Sequence, residues 1–180
     1  MISAAEVAES ILAGSVAVIP TDTVYGLAAH PGIPSAVERL YSIKERDRKK
    51  PIALLVSDES VPAKLGFAMP PKALDAVQKF WPGALTIVLE KDGTTEAFRC
   101  PDHDWTRELL SLCGGALRVT SANMSGEIPA VEAAKAFAEL GLKADIIVDG
   151  GKSRIGVAST VAAFSADGSV KILRQGPVTL

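Results

Sequence analysis

The stretch Val16-Ala-Val-Ile-Pro20-Thr-Asp-Thr-Val-Tyr-Gly26 decides the fold of this chain. Residues 16–20 are almost wholly apolar, a pattern that predicts a short β-strand covered on both faces. Residues 21–26 follow that strand directly and begin with three polar side chains. In α/β proteins the polar groups at the end of a buried strand commonly gather around a ligand. The stretch therefore predicts a buried strand that leads into a ligand site.

Predicted helices and strands alternate along the chain around that stretch. Ser3-Ala-Ala-Glu6 is a capping box that predicts the start of a first helix. Apolar residues at helical spacing predict helices over 34–43, 71–80, 104–112 and 131–140, the last with Phe137 and Leu140 facing inward. Apolar runs predict strands over 52–56, 85–89, 116–120, 146–148, 160–164 and 170–173, and the polar segment 91–99 predicts a loop. The alternation predicts an α/β fold, a single domain over residues 1–180 with a twisted, mixed parallel and antiparallel sheet and flanking helices.

Composition narrows the class of protein. The chain has 180 residues, of which 48% are hydrophobic and 22% charged, values typical of one compact globular domain. The formal net charge of −2 means that any binding of anions has to be local. Cys100 and Cys113 form neither a CxxC pair nor a metal-ligand spacing, which favours a reduced, cytoplasmic protein. Neither a secretory leader nor an apolar run long enough for a membrane span is predicted.

The stretch Lys44-Glu-Arg-Asp-Arg-Lys-Lys50-Pro51 holds five basic and two acidic side chains in its first seven residues. A charge run of this kind commonly forms a solvated face. Its position between a predicted helix and a predicted strand favours an anion site instead. Lys44 and Arg46 are two residues apart, so an extended backbone would place both side chains on one side. Arginine and lysine together suit a polyphosphate, because a guanidinium binds two oxygens at once and an ammonium acts as a point charge.

Ser121-Ala-Asn123-Met-Ser125-Gly126 places three small polar side chains directly after a predicted strand. Such a segment is either an ordinary turn or part of a site, and the same holds for Thr21-Asp-Thr23.

Generic catalytic motifs are excluded. Gly150-Gly-Lys-Ser153 lacks the upstream glycine of a phosphate-binding loop, and no G-x-S-x-G surrounds the serines. His30 and His103 have no partner at ligand spacing.

Five motifs occur in order between about Val16 and Gly176. They are Pro20-Thr-Asp-Thr-Val-Tyr-Gly-Leu27, Lys44-x-Arg46 with Lys50-Pro51, Trp81-Pro-Gly83, Ser121-Ala-Asn-x-Ser-Gly126 and Ser159-Thr-Val161. In this order they resemble the YrdC-type family, the threonylcarbamoyl-AMP synthases that begin the t6A modification of tRNA. The resemblance implies the YrdC-like form of the fold, with a large open cleft. It also implies the short form of the family, without an added C-terminal domain.

The resemblance implies a nucleotidyltransferase that makes threonylcarbamoyl-AMP and pyrophosphate from L-threonine, bicarbonate and ATP. Its catalytic group would be Lys44, Arg46, Ser121 and Asn123. The residues matched to ATP binding are Lys44, Arg46, Arg48, Lys50, Asn123 and Arg174. Those matched to L-threonine binding are Thr21, Arg99, Ser121 and Ser159. Magnesium is expected on the phosphates of ATP, with no ligand from the protein.

Partners and alternatives follow from the same resemblance. The product would pass to a downstream t6A transferase complex, and the basic stretch could contact tRNA or other double-stranded RNA. One alternative is an inactive paralogue that acts only as an RNA-binding module, against which the intact K-x-R and S-x-N pairs argue. A carbamoyl-transferring domain of hydrogenase-maturation proteins is disfavoured, because no attached domains are predicted. Three positions depart from the family pattern, namely Asp47, Val131 and Ala158.

Overall fold

A nine-stranded sheet with helices on both faces forms the protein in the computed structural model, which describes residues 2–180 and, at Leu142, the backbone alone. The helices are α1 (Ala4–Leu12), α2 (Pro34–Lys44), α3 (Val61–Lys64), α4 (Pro71–Phe80), α5 (Asp104–Leu112) and α6 (Ala133–Leu140). The strands are β1 (Ala17–Ile19), β2 (Gly26–Ala29), β3 (Leu54–Val56), β4 (Leu85–Lys91), β5 (Thr94–Arg99), β6 (Ala116–Ser121), β7 (Ile146–Ile147), β8 (Thr160–Phe164) and β9 (Val170–Arg174).

The sheet is mixed, as the sequence predicts. Its strand order is β7-β1-β2-β6-β3-β5-β4-β8-β9. The pairs β1–β7, β3–β5 and β4–β8 are parallel, and the other neighbouring pairs are antiparallel. Strands distant in the chain are thereby brought side by side, so that loops from both halves of the chain reach the same region of the sheet.

Strand β1 is covered on both faces, which confirms the prediction for residues 16–20. Val16 and Val18 belong to a core cluster with residues of α2 and α6. Ala17 and Ile19 belong to a second cluster with residues of α1 and α5. Successive side chains of a strand point to opposite faces, so alternate residues of one apolar run supply two different cores. The polar residues after Ile19 begin where this double cover ends.

The other half of the sheet packs against α4, and this side carries the third core cluster. Ala73, Ala76 and Val77 of that helix contact apolar residues of β4 and β5, among them Ile87 and Phe98.

The predicted capping box is present at α1, where Ser3 and Glu6 bond to each other's backbone N–H groups. None of the helices within residues 2–180 has the length and apolarity that a crossing of the bilayer requires.

Residues 91–99, predicted to be a loop, form most of a β-hairpin. Strands β4 and β5 pair from Ile87–Phe98 to Lys91–Thr94. The turn between them is Asp92-Gly93, and both residues have positive φ angles, of 51° and 74°. Asp-Gly is the usual sequence of a two-residue hairpin turn, so the signal lay in the turn and not in the polar strand residues. Because residues 94–99 form strand β5, Arg99 lies near the centre of the sheet.

Two further expectations are wrong. Phe137 of α6 was predicted to face inward but is 53% exposed, whereas Leu140 is buried as predicted. The backbone between Lys44 and Arg46 is not extended, because α2 runs through Lys44 and ends at Glu45 in a left-handed conformation, with φ of 51°. This turn sends the two basic side chains to different places.

Candidate active site

A cleft of about 410 Å3 lies over seven neighbouring strands of the sheet, from β2 to β9 in the sheet order. Each of these strands contributes at least one lining residue. The charged side chains among the described residues that line it are Arg46, Arg99 and Arg174, with no carboxylate among them. The cleft is therefore locally positive in a protein of net charge −2, as suits an anionic ligand.

Arg99 at the end of β5 is held by three acceptors. Its Nε donates to the carbonyl of Gly83 at 2.9 Å, Nη1 to Oγ1 of Thr23 at 2.7 Å, and Nη2 to Oδ1 of Asp22 at 2.5 Å. Burial lowers the pKa of Arg99, and the negative charge of Asp22 opposes this. A guanidinium has five N–H groups, so one on each Nη is left for a ligand in the cleft. The arrangement suits a carboxylate bound by both nitrogens.

Thr21 both makes a turn and lines the cleft. Its hydroxyl donates to the carbonyl of Val24 at 2.7 Å and accepts from the backbone N–H groups of Thr23 and Val24. These bonds form a turn, which is one of the two structures that the sequence pattern of residues 21–23 predicted. Its side chain is 3% exposed and nevertheless borders the cleft beside Arg99 and Thr23. Thr21 therefore belongs both to a turn and to the candidate site.

Ser159 and Arg174 meet in the same cleft, near the β8–β9 edge of the sheet. Nη2 of Arg174 donates to the backbone carbonyl of Ser159 at 2.8 Å and to its hydroxyl at 3.1 Å. The Ser159 hydroxyl also lies 2.8 Å from Oγ1 of Thr86 on β4. Gly176 permits this packing, because a Cβ there would lie 2.4 Å from the backbone nitrogen of Thr160. The pKa of Arg174 is lowered by desolvation and then by the positive charge of Arg46, so the two guanidiniums act on each other across the cleft.

Arg46 lines the cleft from the turn after α2. Its Nε donates to the carbonyl of Lys50 at 2.9 Å and its Nη2 to the carbonyl of Pro51 at 3.0 Å. The same turn is closed by Asp47, whose carboxylate accepts from the backbone N–H of Lys49 at 2.9 Å. Asp47 thus shapes the turn that holds Arg46, which accounts for its presence among basic residues.

Lys44 and Asn123 lie behind the cleft wall and not in it. Lys44 is 2% exposed, and its Nζ donates to the carbonyls of Ser121 and Asn123. The side-chain amide of Asn123 donates to the carbonyls of Met124 and Glu127, each at 2.8 Å, and its Oδ1 lies 3.4 Å from the Lys44 ammonium. Both side chains therefore hold the segment that follows β6.

Arg48 and Lys50 lie outside the cleft. Arg48 pairs with Glu38 of α2, and its side chain is 67% exposed. Lys50 is exposed as well, and its backbone carbonyl, not its ammonium, contacts Arg46. The structure thus brings part of the predicted site together in the cleft. Those residues are Thr21, Arg46, Arg99, Ser121, Ser159 and Arg174.

Three further residues support the site, and the sequence motifs assigned none of them a specific role. Asp22 and Thr23 hold Arg99, and their signal was available in the motif of residues 20–27. Thr86 contacts Ser159 but stands alone in an apolar strand, so nothing in the sequence marks it. Only the parallel pairing of β4 with β8 places it beside that serine.

Comparisons with known proteins identify the family. The sequence model of the family Sua5_yciO_yrdC, described as "Telomere recombination", matches residues 9–176. This chain belongs to the Sua5/YciO/YrdC family. A relative from Mycobacterium tuberculosis with the name "Putative threonylcarbamoyl-AMP synthase" is 36% identical over 180 residues, which cover 94% of this chain and 82% of the relative. The resemblance predicted from the ordered motifs is confirmed.

Two further Sua5/YciO/YrdC proteins are longer than this chain. The threonylcarbamoyl-AMP synthase of Bacillus subtilis is 34% identical, and the match covers 97% of this chain and 54% of that protein. The crystal structure of Pyrococcus abyssi Sua5 complexed with L-threonine superposes with a TM-score of 0.87 at 31% identity, over 96% of this chain and 54% of that one. This chain spans about half the length of both proteins, and the matched half of the Pyrococcus abyssi protein has the same fold.

Proposed function

We propose that this protein is a nucleotidyltransferase that makes threonylcarbamoyl-AMP, the first step of t6A formation. The observation that carries the proposal is the cleft, in which three arginines and several hydroxyls converge, with no Asp or Glu among the described residues that line it. A positive cleft of this kind suits ATP, bicarbonate and the carboxylate of threonine, all of which are anions. The names of the relatives from Bacillus subtilis and Pyrococcus abyssi support the same activity.

The threonine side of the reaction is assigned to Arg99 and the hydroxyls near it. The two free N–H groups of Arg99 would bind the threonine carboxylate, because the other three are held by Gly83, Thr23 and Asp22. Thr21 and Ser159 border the same cleft and would contact the amino acid. The Pyrococcus abyssi Sua5 structure complexed with L-threonine supports this assignment at the level of the fold.

The reaction has two steps. The threonine amine attacks the carbon of bicarbonate, a C–N bond forms, and water leaves to give the carbamate. A carbamate oxygen then attacks the α-phosphorus of ATP, and the bond to the bridging oxygen of the β-phosphate breaks to release pyrophosphate. Both partners of the second step are anions. Arg46 and Arg174 would reduce their repulsion and stabilise the charge that develops on the leaving group.

Magnesium is proposed as part of the substrate, bound to the phosphates of ATP. Over residues 2–180 no three His, Cys, Asp or Glu side chains form a group that could hold a metal. Magnesium keeps several waters and is commonly bound through substrate phosphates, so this arrangement is chemically ordinary.

The fate of the product and the contact with RNA stay predictions. Arg48, Lys49 and Lys50 are exposed outside the cleft, so this part of the basic stretch is available to RNA or to the transferase that receives the product. A pure RNA-binding module would not need the buried support around Arg99. We place the reaction in the cytoplasm, an assignment that the two buried free cysteines favour.

The test is the release of pyrophosphate by the purified protein with ATP, magnesium, bicarbonate and L-threonine. We expect release that requires both threonine and bicarbonate, with threonylcarbamoyl-AMP detected by mass spectrometry. D-threonine at the same concentration is the matched control. Release that does not depend on threonine, or salt-sensitive RNA binding without any release, would contradict the proposal.

A further inference from the structure

The segment of residues 121–129, which we call the Ser121 loop, forms part of the cleft wall. Ser121 and Pro129, at its two ends, line the cleft. Between them the loop turns away from the cleft and runs against α6. The position of the Ser121 hydroxyl therefore depends on how the rest of the loop is held.

Two side chains of α6 hold that loop at two points. Oε2 of Glu139 accepts from the backbone N–H of Met124 at 3.3 Å. Nζ of Lys135 donates to the carbonyl of Ile128 at 3.0 Å. The same ammonium lies 3.7 Å from Oε1 of Glu139, so the two holding groups also form an ion pair one helical turn apart.

The stability of α6 does not explain this pair. Glu139 lies one residue before the end of the helix at Leu140, where the negative end of the helix dipole disfavours a carboxylate. The order Lys135 then Glu139 is also the less favourable orientation of a pair four residues apart. Helix stability thus gives little reason for Glu139 at this position, whereas both side chains make hydrogen bonds to the loop.

Glu139 also acts on a further attachment of the loop, the ammonium of Lys44. The buried ammonium of Lys44 holds the carbonyls of Ser121 and Asn123. Burial and the charge of Arg46 lower the pKa of Lys44, and Glu139 is the acidic residue that raises it. Its side chain is 20% exposed, so its charge is only partly screened by water.

We propose that Glu139 is the positioning residue of the Ser121 loop. Its carboxylate fixes Met124 directly, fixes Ile128 through Lys135, and supports the ammonium of Lys44 that holds Ser121 and Asn123. The effect on catalysis rests on the proposed function, whereas the effect on the loop does not. Glu139 touches no substrate and acts through the position of Ser121.

The experiment compares Glu139→Ala, Glu139→Gln and the control Glu108→Ala, which removes an exposed carboxylate from α5. In Glu139→Ala we expect faster amide hydrogen exchange confined to residues 121–129 and a turnover lowered about 10- to 100-fold, the effect of a shift near 1 Å. Glu139→Gln keeps an acceptor for Met124 but loses the charge. It should keep most of the exchange protection, while its turnover declines at a lower pH than that of the wild type.

Wild-type exchange and turnover in Glu139→Ala would overturn the inference, and so would an unshifted pH profile in Glu139→Gln. A wild-type protein without threonine-dependent pyrophosphate release would contradict the proposed function instead. In that case the exchange rates of residues 121–129 alone decide whether Glu139 holds the loop. If Glu139→Ala fails to fold, Glu139→Gln still gives both measurements.

Discussion

The carboxylate of Asp22 accepts a hydrogen bond from Nη2 of Arg99 at 2.5 Å, and the two side chains are 1% and 7% exposed. One partner comes from the turn after β1 and the other from the end of β5, which are far apart in the sequence. Asp22 holds the guanidinium of Arg99 in the wall of the cleft. Removing one partner of such a buried pair leaves the other charge uncompensated.

We therefore expect Asp22→Ala to lower the free energy of unfolding by about 3–5 kcal/mol. Urea denaturation followed by circular dichroism measures this change. Arg154→Ala is the matched control, because Arg154 pairs with Asp102 at the surface, and it should leave the denaturation midpoint unchanged. Equal midpoints for Asp22→Ala and the wild type would show that the pair contributes nothing to stability.

The two arginines that flank Asp47 should differ in their effect on turnover. Arg46 lines the cleft, so Arg46→Ala is expected to reduce pyrophosphate release by roughly 10²- to 10³-fold, the usual loss for one charge-stabilising donor. Arg48 pairs with Glu38 outside the cleft, and Arg48→Ala should turn over at the wild-type rate. Steady-state assays at saturating ATP and threonine test both, and similar losses in the two variants would argue against the assignment.

Lys44 should give turnover a dependence on alkaline pH. Burial lowers its pKa to about 8, so its ammonium loses a proton above that pH and releases the carbonyls of Ser121 and Asn123. The ratio of wild-type turnover to that of Lys44→Met should therefore fall above about pH 8, and taking the ratio cancels the ionisation of threonine. A ratio constant from pH 7 to 9.5 would contradict this role.

The effect of Lys44 on stability runs in the opposite direction with pH from its effect on turnover. Its pKa is lower in the folded protein, at about 8, than in the unfolded chain, at about 10.4. Between these values the unfolded chain binds more protons, so the free energy of unfolding of the wild type relative to Lys44→Met should rise with pH in this window. Urea denaturation at pH 7.5 and pH 10 measures the change.

Thr86 should affect the binding of threonine through Ser159. Thr86→Val removes a hydrogen bond of 2.8 Å between the two hydroxyls. One such bond contributes about 0.5–1.5 kcal/mol, so we expect the KM for threonine to rise roughly 2- to 12-fold while kcat changes less. Thr86→Ser keeps the hydroxyl and is the control. A KM for threonine that rises more than the KM for ATP would locate the change on the amino-acid side, and the reverse would contradict this role of Thr86.

Much of the fold could be predicted, because local patterns report local structure. Helices α4 and α5 and strand β8 have the predicted bounds. The errors lie where tertiary packing or turn geometry decides, at β5, at Phe137 and at the end of α2. Strand β2, Gly26 to Ala29, was not predicted because Leu27 is its only bulky residue and the other three are small.

The sequence by itself determined the family, the class of fold and the residue types of the site, since these depend on ordered motifs and on apolar periodicity. Only the tertiary structure decided which of those residues face the cleft. It placed Lys44 and Asn123 behind the wall and Arg46 and Ser121 at it. For the two basic side chains the reason is the left-handed residue Glu45, which ends the helix between them, where an extended backbone would have kept them together.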